Sequence, residues 1–137
     1  MRKILSVILA GAALAAAPAQ AASPDREAQL ERALAGRVAG EPVNCINLRN
    51  ATQTTVIDET AILYRIGSTI YVNRPRSGAE SLDRHDTMVN RLYGGSRLCS
   101  IDTVRMVDLR SGIMTGLVFL GEFVPYRRVE TGYNGAY

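Results

Sequence analysis

The chain has 137 residues, with 16 basic and 13 acidic side chains, and 47% of its residues are hydrophobic. That length is enough for one domain with its own core. The single lysine lies at position 3 and one arginine at position 2, so the remainder is close to neutral. This excludes the strong positive field of a general nucleic-acid or anionic-membrane binder.

Arg2 and Lys3 form a short positive start, and Ile4 to Ala17 is an apolar stretch interrupted only by Ser6 and Gly11. Pro18 breaks any helix, and Ala19-Gln20-Ala21 puts small residues where a signal peptidase reads them. Residues 1–21 are therefore expected to be a signal peptide, cleaved after Ala21. The apolar stretch is shorter than the roughly 20 residues of a membrane anchor. No cysteine stands near the cleavage point to carry a lipid. The expectation is a periplasmic or secreted protein with no membrane span in its mature chain.

Residues 22–42 read as an N-terminal helix and linker. Ser23 suits a helix cap, Pro24 the first helical position, and Asp25 and Glu27 the positive end of the helix dipole. Leu30, Ala33, Leu34 and Val38 recur at helical spacing as one narrow apolar stripe. The pattern predicts a helix from about Pro24 to Ala35, ended by Gly36 or Gly40 and unable to pass Pro42.

Residues 43–126 change to the period of strands and read as a β-domain. Val43 to Leu48 is a short strand, and Thr54 to Ile57 is β-branched throughout. Asp58-Glu59 suits a hairpin turn. Thr60 to Ile66 alternates, with Ile62, Tyr64 and Ile66 on one face. Gly67-Ser68 fits a two-residue type II′ turn, and Thr69 to Arg74 continues with Ile70 and Val72 on one face. These runs predict a meander of antiparallel strands. Asn73 to Gly78 is a cationic loop, Ser81 to Asp86 is polar with room for one helical turn, and Thr87 to Leu92 is another strand. Gly94-Gly95-Ser96 leads into Leu98-Cys99. Val104 to Leu109 is a strand, and Ser111-Gly112 turns the chain. Thr115 to Tyr126 is the longest apolar run, and its Gly116 and Gly121 predict a bulge or a barrel bend. Residues 127–137 read as a flexible C-terminal tail. The fold class expected is mainly β: a small antiparallel sandwich or partly open barrel of about six or seven strands, with one N-terminal helix after the signal peptide.

Cys45 and Cys99 are the only cysteines. In an oxidising compartment they are expected to form a disulfide, since a metal or redox site needs closer cysteines or nearby histidine. Closing a loop of about 55 residues contributes about 4 kcal/mol at most, and the two Cα atoms should lie about 4.4–6.8 Å apart. His85 is the only histidine, in Asp83-Arg84-His85-Asp86. Asp83 or Asp86 could orient it, but no Gly-x-Ser-x-Gly elbow accompanies it, and zinc needs more His or Cys than the chain owns. An exposed loop histidine is the simpler reading. Asp58, Glu59, Asp102, Asp108 and Glu122 offer carboxylates, yet nothing in the sequence pairs two of them as acid and base. Asp102 suits a hydrogen bond to nearby backbone. Arg74 and Arg76, in the cationic loop, form a candidate anion-binding loop. Together with Arg84, Arg91 and Arg97, and with Tyr64, Tyr71 and Tyr93 as aromatic platforms, Arg74 and Arg76 would suit single-stranded nucleic acid on an OB-like sheet. Export and the near-neutral charge argue against that partner.

Four segments carry a family resemblance: Leu34 to Ile46, Asn73 to Gly78, Leu98 to Asp102, and Leu120 to Tyr126. Together they resemble a group of exported, sphingomonad-like proteins of alphaproteobacteria to which no activity is assigned. The resemblance covers most of the mature chain. It implies a signal peptide, the Cys45 and Cys99 pair, and no known catalytic set. The expectation is thus a non-enzymatic, envelope-associated binding or structural protein, with no catalytic residues, metal or cofactor. Its expected partner is an envelope protein or an anionic envelope polymer. The alternative is a small periplasmic hydrolase using His85 with nearby acids.

Overall fold

The computed structural model describes residues 23–92 and 95–130. The expected signal peptide, Gly94 of the predicted loop and residues 131–137 of the expected tail lie outside the described residues. Helix α1 spans Pro24–Ala33, with Pro24 in the first turn beside Asp25 and Glu27, and Arg32 in the last. Ser23 caps it differently from the expectation. Its hydroxyl makes no cap bond; its carbonyl accepts from the N–H groups of Arg26 and Glu27, at 2.9 and 3.1 Å. The helix ends at Leu34, and Gly36 takes the left-handed conformation at φ +72° that turns the chain out of it. No helix among the described residues is long and apolar enough to cross a membrane.

Ten strands follow among the described residues, more than expected. They are β1 (Arg37–Ala39), β2 (Cys45–Asn47), β3 (Ala51–Ile57), β4 (Ala61–Ile66), β5 (Thr69–Asn73), β6 (Thr87–Asn90), β7 (Arg97–Cys99), β8 (Thr103–Val107), β9 (Met114–Phe119) and β10 (Phe123–Arg128). β1 lies in the stretch expected to be linker, and β10 runs two residues into the expected tail. Val38 therefore leaves the helical stripe and sits exposed in β1.

The strands form three antiparallel sheets and no closed barrel. The largest has the order β1-β10-β5-β4-β3, the second pairs β2 with β7, and the third runs β6-β8-β9. The predicted meander is β3-β4-β5. Its second turn puts Ile66 opposite Thr69, with Gly67 at φ +59° and Ser68 not in the positive region, the signature of type II′. The long apolar run divides into β9 and β10, which belong to different sheets. Leu120-Gly121-Glu122 carries the chain between them. Buried Asn73 holds this crossing from both sides: its Nδ2 donates to the Gly121 carbonyl at 2.6 Å, and its Oδ1 accepts the Gly121 N–H at 3.1 Å. A Cβ on Gly121 would lie 2.4 Å from the Arg74 carbonyl oxygen, so only glycine fits there. Gly116 marks the predicted bulge, where the β8–β9 register slips between Met106 and Val107.

The five-stranded sheet is buried on both faces. One face gives Ile62, Tyr64 and Phe123 to a core shared with Ile46, Leu98, Val104, Met106 and Val118 from the two smaller sheets. The other gives Ile57, Ala61, Leu63, Ile70 and Val72, which Leu30 of α1 covers. Burying Leu30, 2% exposed, stabilises the docked helix by roughly 1.5–3 kcal/mol. Two ion pairs fix the start of the helix on this face, Arg26 with Glu59 and Glu27 with Arg74.

Cys45 and Cys99 are joined and directly opposite in the β2–β7 register. Their Cα atoms are 4.0 Å apart, closer than the expected range. The register explains this. The neighbouring pair carries the ladder bond, Ser100 N–H to the Asn44 carbonyl at 2.7 Å, so the cysteines form a non-hydrogen-bonded pair, where antiparallel strands approach most closely. The spare Cys99 N–H donates to Asp102 Oδ2 at 2.7 Å, the backbone role expected of Asp102.

Candidate functional site

The candidate loop arginines are not a matched pair. Arg74 donates to both carboxylate oxygens of Glu27, at 2.7 and 2.8 Å, so its charge is already met. Arg76 is exposed on the loop beside β9, where its N–H donates to the Phe119 carbonyl at 3.0 Å. His85 is exposed as expected. Its N–H donates to Asp83 Oδ1, and its Nδ1 lies 2.9 Å from the same oxygen; no serine bonds the ring among the described residues. Asp86 is turned to the Thr115 hydroxyl instead. Asp58 and Glu59 do close the β3–β4 turn, and each is engaged: Asp58 with the N–H and guanidinium of Arg84, Glu59 with Arg26. Asp108 caps its own turn through the N–H groups of Arg110 and Ser111, both at 2.8 Å. No group of three or more potential metal-ligating side chains occurs among the described residues.

Three other arginines converge. β1 and β10 pair so that Arg37 stands directly opposite Arg128. Two residues along the same strands, Ala39 pairs with Tyr126; across the sheet Tyr126 pairs with Ile70, and Ile70 with Arg65. Alternation along each strand puts all three guanidinium-bearing positions on the face that α1 covers. They line one cavity of ≈ 380 Å³, walled also by Ala33, Ala35 and Gly36 from the end of the helix.

No ion pair offsets the charge of this cavity among the described residues: no carboxylate there pairs with Arg37, Arg65 or Arg128. Like charges directly opposite on paired strands are destabilising. Burial, and then the charges of Arg128 and Arg65, lower the Arg37 pKa from its ordinary value. Arginine nonetheless stays a cation at any physiological pH. Arg37 is also held in place: its Nη1 donates to the Ser68 carbonyl at 2.6 Å and to the Tyr126 carbonyl at 3.3 Å. A smaller hollow of ≈ 180 Å³ adjoins it, sharing Ala33 and Arg65 as walls. Sequence reasoning missed these residues because no two of the three are neighbours in the chain. The sole local signal was Arg65, a charge interrupting the apolar run Ala61–Ile66 of a strand otherwise buried at Ala61 to Tyr64.

A second concavity, ≈ 530 Å³, lies on the outer face of β6-β8-β9. Register places Val89, Arg105 and Leu117 in one row there, with Phe119, Ile101 and Arg91 around it. It is a surface of mixed polarity, with Arg105 in the middle of the row and Asp102 also in its wall. No protein-family model matches the chain, and no curated protein and no solved structure is significantly similar to it.

Proposed function

We propose that this is an exported, non-enzymatic binding domain whose ligand is an anion, taken in the cavity of Arg37, Arg65 and Arg128. The observation that carries the reading is the convergence of three cations without a carboxylate among the described residues. A fold tolerates opposed like charges on paired strands at a cost, and a bound anion removes that cost. Guanidinium groups suit the task because each presents several donors in a plane, matching carboxylate, sulfate or phosphate oxygens. The Cys45–Cys99 bond and the apolar start of the sequence support export to the periplasm or beyond. The anionic partner expected from the sequence is kept; its site moves from the Arg74–Arg76 loop to this cavity. The hydrolase alternative lacks a comparable observation: among the described residues no hydroxyl bonds the His85 ring, which meets Asp83.

Thermal unfolding at constant ionic strength tests the proposal. Exchanging chloride for sulfate or phosphate should raise the Tm, because a ligand that binds only the folded state stabilises it by mass action. Arg65→Ala should weaken anion affinity on the order of tenfold, from losing a charge-assisted hydrogen bond of about 1.5 kcal/mol or more. Arg128→Ala should act in the same direction, and Arg76→Ala should leave the anion effect intact. An anion-independent Tm, or one whose anion dependence survives Arg65→Ala and Arg128→Ala, overturns the reading.

A further inference from the structure

We infer that the anion is the carboxylate of an acidic sugar unit, its head on Arg37, Arg65 and Arg128 and its ring in the adjoining hollow; the inference rests on the anion-site reading above. The hollow is defined by the register of β3, β4 and β5. Gln53 stands opposite Arg65, which stands opposite Ile70, and Thr55 stands opposite Leu63. Gln53, Thr55, Leu63, Arg65 and Ile70 therefore share one face, and Ala33 of α1 closes the hollow above them. The aliphatic part of the floor is Leu63 and Ile70, which are nearly fully buried and leave a small apolar patch open to a ligand. The β3 wall carries a hydroxyl and a primary amide, which between them can donate and accept.

This combination discriminates among anionic ligands. An acyl chain would fill the hollow but would cover the Gln53 amide and Thr55 hydroxyl without partners, which is unfavourable. A bare inorganic anion would use the arginines and leave the hollow idle. A nucleotide base needs an aromatic or other flat platform, and among the described residues no aromatic side chain lines either cavity. A pyranose meets each wall in kind. Its C–H face rests on Leu63 and Ile70, its hydroxyls reach Gln53 and Thr55, and a ring carboxylate reaches Arg65, the residue both cavities share. The same unit occurs free or within an acidic polysaccharide, and both offer the same chemistry to the site.

The test is calorimetric titration of the exported protein at low salt with acetate, D-glucose, D-glucuronate and octanoate, and separately with oligogalacturonate. Glucuronate should bind at least about tenfold tighter than acetate or glucose, with octanoate no better than acetate. Gln53→Ala and Thr55→Val should bring glucuronate down to the acetate level while leaving acetate binding and Tm unchanged. Arg65→Ala should weaken both acids. Tighter binding per site of oligogalacturonate than of glucuronate supports a polymer as the source, and equal binding supports the free acid. Equal affinities for acetate and glucuronate, with Gln53→Ala and Thr55→Val silent, overturn the sugar inference and leave the anion reading standing. Octanoate binding tighter than glucuronate does the same. Absence of binding by every acid overturns the sugar inference, and absence of a sulfate or phosphate effect on Tm as well overturns the anion reading with it.

Discussion

Tyr64 carries the largest fully buried side chain of the core, and its ring meets that of Phe123 edge to face at 5.9 Å. Its hydroxyl is buried with no hydrogen-bond partner among the described residues, and burial pushes its pKa up. The ring and the hydroxyl therefore act in opposite directions on stability. Tyr64→Phe keeps the ring and removes an unsatisfied polar group, so it should leave stability unchanged or raise it by up to about 1 kcal/mol. Tyr64→Ala should lower it by about 3–5 kcal/mol through the cavity it opens. Urea denaturation measures both, and a loss above about 1 kcal/mol in Tyr64→Phe would show that the hydroxyl has a partner. The position of Tyr64 was legible, because Ile62, Tyr64 and Ile66 alternate. The clasp of Asn73 on Gly121 was not, since an asparagine at a strand end reads as a turn residue. Only the fold brings a glycine 48 positions away against it.

At the scale of elements, α1 and the β2–β7 pair are each held by a few contacts, and each has a distinct dependence on conditions. The side-chain bond from Arg74 lowers the Glu27 pKa below its ordinary value near 4.5. A depressed carboxylate adds stability that is present above the unfolded pKa and is lost as pH falls through the lower folded value. The pair is exposed, so its worth is about 0–1 kcal/mol. Glu27→Gln should lower the Tm slightly at neutral pH. The difference from the parent should shrink as pH falls below 4.5 and vanish once Glu27 is protonated in both states. A difference that persists undiminished in acid would refute this account. The disulfide acts on a sheet of only two strands, which is marginal alone. Replacing both cysteines by serine should cost up to about 4 kcal/mol. Amide exchange should accelerate first at Ile46 and Leu98, the ladder neighbours of the bond, while the β3-β4-β5 meander keeps its protection. Uniform acceleration across the chain would mean that the two-stranded sheet has no separate opening.

For the whole molecule, what could be read beforehand was what is local. The β3-β4-β5 meander joins strands that follow one another through short turns, so hydrophobic period and turn residues sufficed. The β1–β10 pairing joins Arg37 to a strand 89 positions away at Tyr126, and no periodicity announces such a partner. β1 has three residues and sat in what read as helix and linker. The candidate site inherits that obscurity. Arg74 and Arg76 drew attention because they are close in sequence, whereas Arg37, Arg65 and Arg128 meet only once β10 has entered the sheet beside β1 and β5. Missing β1, and reading Gly121 as a bulge or bend within one apolar run, hid the same feature: the crossing at Gly121 that sends β10 into another sheet than β9.

The place of β10 also sets an order of events at birth. It is the last described strand to leave the ribosome, yet it lies inside its sheet, between β1 and β5. β1 has no other neighbour, so the earliest strand of the chain waits for the latest. Both cysteines precede β10 in the chain, and they pair through β2 and β7, outside the sheet that β10 enters. A chain truncated before Phe123 would keep both cysteines and the residues of the meander, but it would lack Arg128 and the strand that brings Arg37 into place. On this topology the proposed anion site is assembled only once β10 has entered its sheet between β1 and β5.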